Sequence, residues 1–316
     1  MQVFNVAFQA LALLLGLGLV GFIIIRRKIL PEHVLSVLTP LVVDIALPCL
    51  VFANILSRFD PAANPGWWQL PLWWALFTAS LALASVLFGY TAKSETRREF
   101  RMSLFFQNGI FIPTGLIMGF FGRDSAHLAN LFLFMIFYPA LFFNTYHLFY
   151  RKEGSAGGIR WGGMFNPVLL ATLLAVVLVL AGAAGSVPPF VAALARELGG
   201  ITIPLIMIIL GGSIYLDFKR RGPLFWGEIV KFVAIKNILF PLAALGILYL
   251  TRPAFSLALL VIIQSAMPPI TAVPAMIERV RGDAAAVNQF LLFSFIASIV
   301  TVPAVLLLFH RIYPLL

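Results

Sequence analysis

Two long apolar stretches of this chain are interrupted in the same way, 156 positions apart. In the first, Gln107-Asn108-Gly109-Ile110-Phe111-Ile112-Pro113 sets an amide five residues before a proline; in the second, Gln264-Ser265-Ala266-Met267-Pro268-Pro269 does the same. Pro113 and Pro269, and Asn108 and Gln264, keep that offset, as do Pro48 in Ile45-Ala46-Leu47-Pro48 and Pro204 in Ile201-Thr202-Ile203-Pro204. A proline inside an apolar helix deletes one backbone donor and pushes on the preceding turn, so polar backbone groups are set free where there is no water to receive them. Such groups persist only inside protein or beside a wet cavity. The duplication therefore constrains the fold to one in which two matching halves bury matching breaks.

The medium follows from composition: 61% of residues are hydrophobic and 11% charged, against about 25% charged in ordinary soluble domains. A membrane span takes about 20 apolar residues, and ten runs qualify: 3–25, 33–57, 68–92, 100–121, 127–150, 164–186, 189–216, 224–250, 254–278 and 284–310. The expected fold is an all-α membrane protein with ten transmembrane helices, embedded in a lipid bilayer. Five helices per half is an odd number, so the second copy enters from the opposite face, giving two inverted five-helix repeats. Residues 1–150 form the first repeat, the polar, glycine-rich stretch 151–163 a cytoplasmic connector, and 164–316 the second repeat. Asn130-Leu131-Phe132-Leu133 against Asn288-Gln289-Phe290-Leu291 extends the match, with the offset drifting as short insertions produce.

The formal charge of +10 is a topology signal. Loops after the first, third, fifth, seventh and ninth runs hold 15 of the 22 Lys and Arg; the opposite face holds Arg58, Arg123, Arg196, Arg252 and Arg311, and Lys231 and Lys236 lie within the eighth run. This bias places the first set in the cytoplasm and both termini outside, which fits the plasma (bacterial inner) membrane. The basic surplus does not point to nucleic acid. The single Cys49 excludes an internal disulfide and a multi-cysteine metal site.

Broken fourth and ninth helices are the candidate substrate site. Half-helix starts favour anions and free carbonyls favour cations, while Gln107, Asn108, Gln264 and Ser265 add neutral hydrogen-bonding groups. Prolines that merely kink packed helices would look the same singly; their repetition in both halves favours a site. Asp44 is the acidic residue deepest in a run and a candidate for ion coupling, or else for a structural pairing; a carboxylate at that depth is costly without a partner or water. Lys236, in the middle of the eighth run, is a candidate ion-pair or substrate-anion partner, whereas Lys231 reads as an i,i+3 partner of Glu228. His147 and Asn144 read as interfacial anchors, and Trp67, Trp68, Trp73 and Trp74 as belt residues.

The ordered set of Leu47-Pro48, Asn108 with Pro113, Ile203-Pro204 leading to Gly211-Gly212-Ser213, Lys236-x4-Pro241 and Ala266-Met267-Pro268-Pro269 resembles the auxin efflux carrier family, over nearly the whole chain. The resemblance implies helices four and nine crossing at mid-membrane, as in the sodium–bile-acid symporters. It also implies a scaffold of helices one, two, six and seven, and a transport domain of helices three to five and eight to ten. By the same resemblance, substrate-contacting asparagine carries over to Asn108, and the residues around the breaks (Gln107, Asn108, Gly109, Pro113, Gln264, Ser265, Pro268 and Pro269) form the substrate-binding set. The chain departs from the commoner form in lacking a glycine just before Pro113, and it lacks the long central loop of the plant carriers. The implied function is secondary transport of a small organic anion, such as malate, malonate or an auxin-like aromatic acid, by an elevator-type mechanism. A coupled proton or sodium ion and a homodimer through the scaffold helices are compatible with it, and no cofactor or metal is expected. A drug/metabolite-type carrier, or a channel or receptor on a similar ten-helix fold, is the alternative. Hydrolase, metallopeptidase and phosphate-loop signatures are absent from the sequence, which argues against an enzyme.

Overall fold

The computed structural model describes residues 2–145, 149, 166–219, 224–270, 273 and 283–315. The connector expected at 151–163, His147, and all but one residue of 271–282 lie outside the described residues.

Thirteen helical segments are used below: α1 Gln2–Arg26, α2 Val34–Arg58, α3 Trp67–Gly89, α4 Arg97–Phe105, α5 Phe111–Phe121, α6 Ala126–Phe134, α7 Tyr138–Thr145, α8 Pro167–Leu180, α9 Pro189–Gly200, α10 Thr202–Lys219, α11 Trp226–Thr251, α12 Phe255–Ala266 and α13 Ala284–His310. Six helical runs are long and apolar enough to cross a membrane, namely α1, α2, α3, the α9–α10 run Pro189–Leu216, α11 and α13. Phe111–Phe121, Ala126–Phe142, Pro167–Leu180 and Phe255–Ala266 are shorter apolar helices. No strand occurs among the described residues; one isolated antiparallel bridge, Gln107 to Pro269, takes its place. The chain is an integral, helical membrane protein.

Prolines shape the helices without all breaking them. Pro48 and Pro241 each follow a π-helical turn, Leu41–Ala46 in α2 and Ala234–Leu239 in α11. The wider turn shifts the hydrogen-bond register ahead of the residue that has no N–H to give. At Pro268 the proline ends the helix, whereas Pro303 lies inside the continuous α13. Met267 precedes Pro268 and adopts φ −74, ψ 140, so α12 stops at Ala266; a residue before proline is driven out of the α region in this way. The α4 helix likewise runs into extended backbone at Phe106, φ −88, ψ 99.

Packing groups the helices. The most extensive contact is between α1 and α10, and α2 packs on α8 and α9. Close approach is required between α1 and α10: a Cβ on Gly211 would collide with the Gly18 carbonyl, and one on Gly21 with the Ile208 carbonyl. Helix α3 lies on α4 and α6, and α13 on α11, α12 and α4. Gly115 and Gly119 of α5 admit Leu14 and Ala10 of α1, a packing role. Trp68 and Trp73 are exposed at the start of α3, as belt residues are, but Trp74 is buried and tilted against Phe137. Adjacent positions, about 100° apart around the helix, take the exposed and the buried face there.

Candidate functional site: the crossing of two broken helices

The segments that follow α4 and α12 meet and pair as two short antiparallel extended stretches. Asn108 N–H donates to the Pro268 carbonyl at 2.8 Å, and Ile270 N–H donates to the Phe106 carbonyl at 3.0 Å, flanking the Gln107–Pro269 bridge. Each break thus supplies the backbone partners the other lacks, which is what an apolar medium demands.

Side chains complete the satisfaction of the freed groups. Pro113 has no N–H and its ring crowds the carbonyl of residue 109 in a continuous helix; here the Gly109 carbonyl accepts from Gln264 Nε2 at 2.7 Å. Gln107 Nε2 donates to Gln264 Oε1 at 3.4 Å. Tyr138, at the start of α7, donates its hydroxyl to the Gln107 carbonyl. Asn108 Oδ1 accepts from Phe111 N–H at 3.2 Å and Ile112 N–H at 3.3 Å, and Thr114 N–H returns to the Ile110 carbonyl. Together with the proline at 113, this leaves no free donor in the first turn of α5.

That last point changes the expected chemistry. Sequence reasoning assigned the bare N–H groups of the half-helix to the anion, but Asn108 itself occupies two of them. With its oxygen so engaged, the amide nitrogen is turned to the other side, and Asn108 Nδ2 is buried with no hydrogen-bond partner among the described residues. A buried amide N–H₂ without an acceptor is costly. It is also a donor held ready beside the positive end of α5. Gln107, Asn108, Gln264 and Ser265 are each at most 3% exposed, so the crossing is closed to solvent in this conformation.

Not all candidate residues meet there. Gln107, Asn108, Gly109, Gln264, Pro268 and Pro269 come together, and Pro113 lies in the adjoining first turn of α5. Ser265 is buried but its hydroxyl turns back to the Ile262 carbonyl at 2.8 Å, within its own helix. Lys236 joins from the π-helical turn of α11: it is fully buried, and its Nζ donates to the Leu104 carbonyl in the last turn of α4 at 2.9 Å. Asp44 does not join. It is exposed, its π-helical turn packs on α8, α9 and α10, and it has no ion-pair partner among the described residues. The structural pairing with a lysine considered for it is therefore not found there, whereas Lys231 does pair with Glu228 at 2.9 Å.

Two contributors escaped the sequence reading. Tyr138 holds the Gln107 carbonyl, and Met135 packs over Gly109 so closely that a Cβ on that glycine would strike its terminal methyl. Both flank a third interruption, between α6 and α7, whose sequence signal is Tyr138-Pro139. A pocket outlined by Ile214, Phe218, Leu224 and Asn288 lies between α10 and the start of α13. The crossing is a junction of hydrogen bonds, and its chemistry is read from its polar groups. Among the described residues no cluster of His, Cys, Asp or Glu could hold a metal ion.

Comparison with known sequences gives one family. The model for a family described as membrane transport protein matches residues 6–154 and 156–306, which is one stretch in each half of the chain. Among curated proteins no sequence matches closely enough to count as a relative.

Proposed function

The chain belongs to the membrane transport protein (auxin efflux carrier) family, and from that premise we propose that it is a secondary carrier of a small organic anion. The carboxylate binds at the crossing of the two breaks and is exposed alternately to each side. The observation that carries this reading is Asn108 Nδ2, a buried donor without an acceptor at a junction where every other first-turn donor is satisfied. A carboxylate oxygen is the acceptor that fits it, next to a half-helix start.

The reading takes the chain as ten spans in two inverted repeats with both termini outside the inner membrane. The charge bias of the loops supports that topology, and the two matched stretches, one per half, support the repeat. It also takes α1, α2 and α8–α10 as a scaffold and the remaining helices as the moving body. Contacts of α1 with α10 and of α2 with α8 and α9 support that division, as do those of α3 with α4 and α6, while the contacts of α1 with α5 and α13 form the face between the two bodies. A scaffold that stays fixed offers the surface for a homodimer.

Uptake and efflux of labelled malate, malonate and phenylacetate in proteoliposomes, with pH, sodium and voltage varied separately, tests the function. Saturable transport of at least one carboxylate, weakened by changes at Asn108, is expected. Saturable flux that ignores Asn108 would place the site elsewhere. Labelling of single cysteines at both termini from the cytoplasmic side, in a Cys49-free background, would favour the drug/metabolite-type arrangement.

A further inference from the structure

Three charged side chains are buried among the described residues: Glu99, Glu228 and Lys236. The two carboxylates sit near the ends of their helices and have polar company. Glu228 takes Lys231 Nζ at 2.9 Å and the Lys93 N–H at 3.3 Å, and Glu99 takes the Asp283 N–H at 3.1 Å. Lys236 differs in depth and in partners. It lies ten residues into the 26-residue α11, about 15 Å along the axis at 1.5 Å per residue. It is 0% exposed, and its described partners are one carbonyl, that of Leu104, and the face of Phe240 at 5.6 Å. No carboxylate pairs with it among the described residues.

A helix-end carbonyl does attract a cation, but capping alone does not call for one. Leu104 needs a donor, and an asparagine, glutamine or serine at bilayer depth supplies it without desolvating a charge. One carbonyl and one ring leave the ammonium short of a compensating negative charge. The position of the deficit matters. Leu104 is four residues before Asn108, and Phe106 between them is already paired with the other break. The uncompensated cation is thus held at one end, and the unpartnered Asn108 donor at the other, of the same stretch 104–108.

We propose that Lys236 is the fixed counter-charge of the crossing, matching one negative charge on the substrate, so that monocarboxylates are selected over neutral analogues and over dicarboxylates and the loaded crossing moves through the membrane with no net charge. The inference rests on the crossing being the substrate site. It narrows the substrate class from organic anions in general to monoanions. It also assigns the voltage dependence of transport to the return of the empty protein, which carries the unneutralised lysine.

Charge is separated from shape by four probes: phenylacetate, its neutral isostere phenylacetamide, malonate with two charges and malonamate with one. Calorimetry on purified protein measures binding, and proteoliposomes with equal internal and external phenylacetate measure exchange under imposed potassium potentials. A lysine held about 6–8 Å from a carboxylate, in a medium of effective dielectric constant about 20, would favour a monoanion over a neutral isostere by about 30- to 100-fold. Wild type should show that preference for phenylacetate over phenylacetamide and for malonamate over malonate, with exchange indifferent to voltage. Lys236→Met should lose most of the first preference, and Lys236→Arg should keep it. In Lys236→Met the loaded crossing carries one negative charge, which biases its orientation by up to about 50-fold per 100 mV, so exchange should become voltage-dependent. Lys236→Gln retains a donor for Leu104 without the charge; it should behave like Lys236→Met, and it stands in if the methionine variant does not fold. A wild-type acid-to-amide preference in Lys236→Gln overturns the inference, and if Asn108→Ala in the same assay still weakens phenylacetate binding by about tenfold or more, the site reading survives. A wild type that binds none of the four probes overturns both.

Discussion

Replacing Asn108 by aspartate separates the two things that this side chain does. The oxygen Oδ1 caps α5 through Phe111 and Ile112, and the nitrogen Nδ2 is the free donor. Aspartate keeps the cap, but it buries a charge at a site 1% exposed, a cost that the helix start offsets only in part, so Asn108→Asp should melt below wild type in detergent. Its affinity for a carboxylate should collapse. Loss of a donor to a charged acceptor costs about 1.5–3 kcal/mol, and repulsion at about 4 Å in a medium of dielectric constant about 20 adds about 4 kcal/mol; together that is well beyond a thousandfold. Asn108→Ala makes the complementary cut. It loses the cap, worth about 0.5–2 kcal/mol, so its melting point should fall, while affinity drops by only about 10- to 150-fold because the donor is lost without repulsion. Thermal melting and calorimetry on the same purified samples give both readings. Wild-type affinity in Asn108→Asp would refute the assignment of Nδ2 to the substrate, whatever the melting curves show.

Four other outcomes follow from the junction and its surroundings. Gln264→Ala leaves the Gly109 carbonyl unpaired in a buried place, so it should destabilise by about 1–3 kcal/mol in chemical denaturation; unchanged stability would mean that water or Gln107 replaces it. Gly109→Ala puts a methyl where Met135 and Gln264 already lie and should slow transport in proteoliposomes, with partial recovery when Met135→Ala opens the space. Tyr138→Phe removes the hydroxyl that holds the Gln107 carbonyl and should lower the melting point while sparing the acid-to-amide preference. Asp44→Asn should abolish pH-driven uptake but spare exchange if Asp44 carries a coupled proton; a retained pH response would remove it from the mechanism.

Helix ends and breaks were readable because each has a local cause. The runs 3–25, 33–57 and 284–310 correspond to Gln2–Arg26, Val34–Arg58 and Ala284–His310, since hydropathy changes sharply where a span meets water. The interruption after Ala266 was visible in Pro268, which acts on the residue before it. Facing directions were less accessible. Asp44 is exposed and Trp74 buried because a π-helical turn rotates one helix face and tertiary packing selects the other, and neither leaves a mark in a hydropathy window. The bond from Lys236 to Leu104 joins residues 132 positions apart. Both ends were visible as a charge and a break, but their meeting depends on how α11 packs, which a single sequence does not state.

The two breaks carry the same sequence device and yet do unequal work. At the first, Asn108 spends its oxygen on the α5 start and leaves a nitrogen free. At the second, Gln264 uses both ends of its amide within the junction, giving its nitrogen to Gly109 and receiving Gln107 on its oxygen, while Ser265 folds back on its own helix. One more methylene makes the difference: a glutamine at the matching position reaches across to the other break, whereas an asparagine reaches only its own next turn. On the function proposed above, one half of the repeat recognises and the other braces. An amide that braces can be replaced by any group that satisfies Gly109, but the recognising amide has no stand-in, because its free donor exists only while its oxygen caps α5.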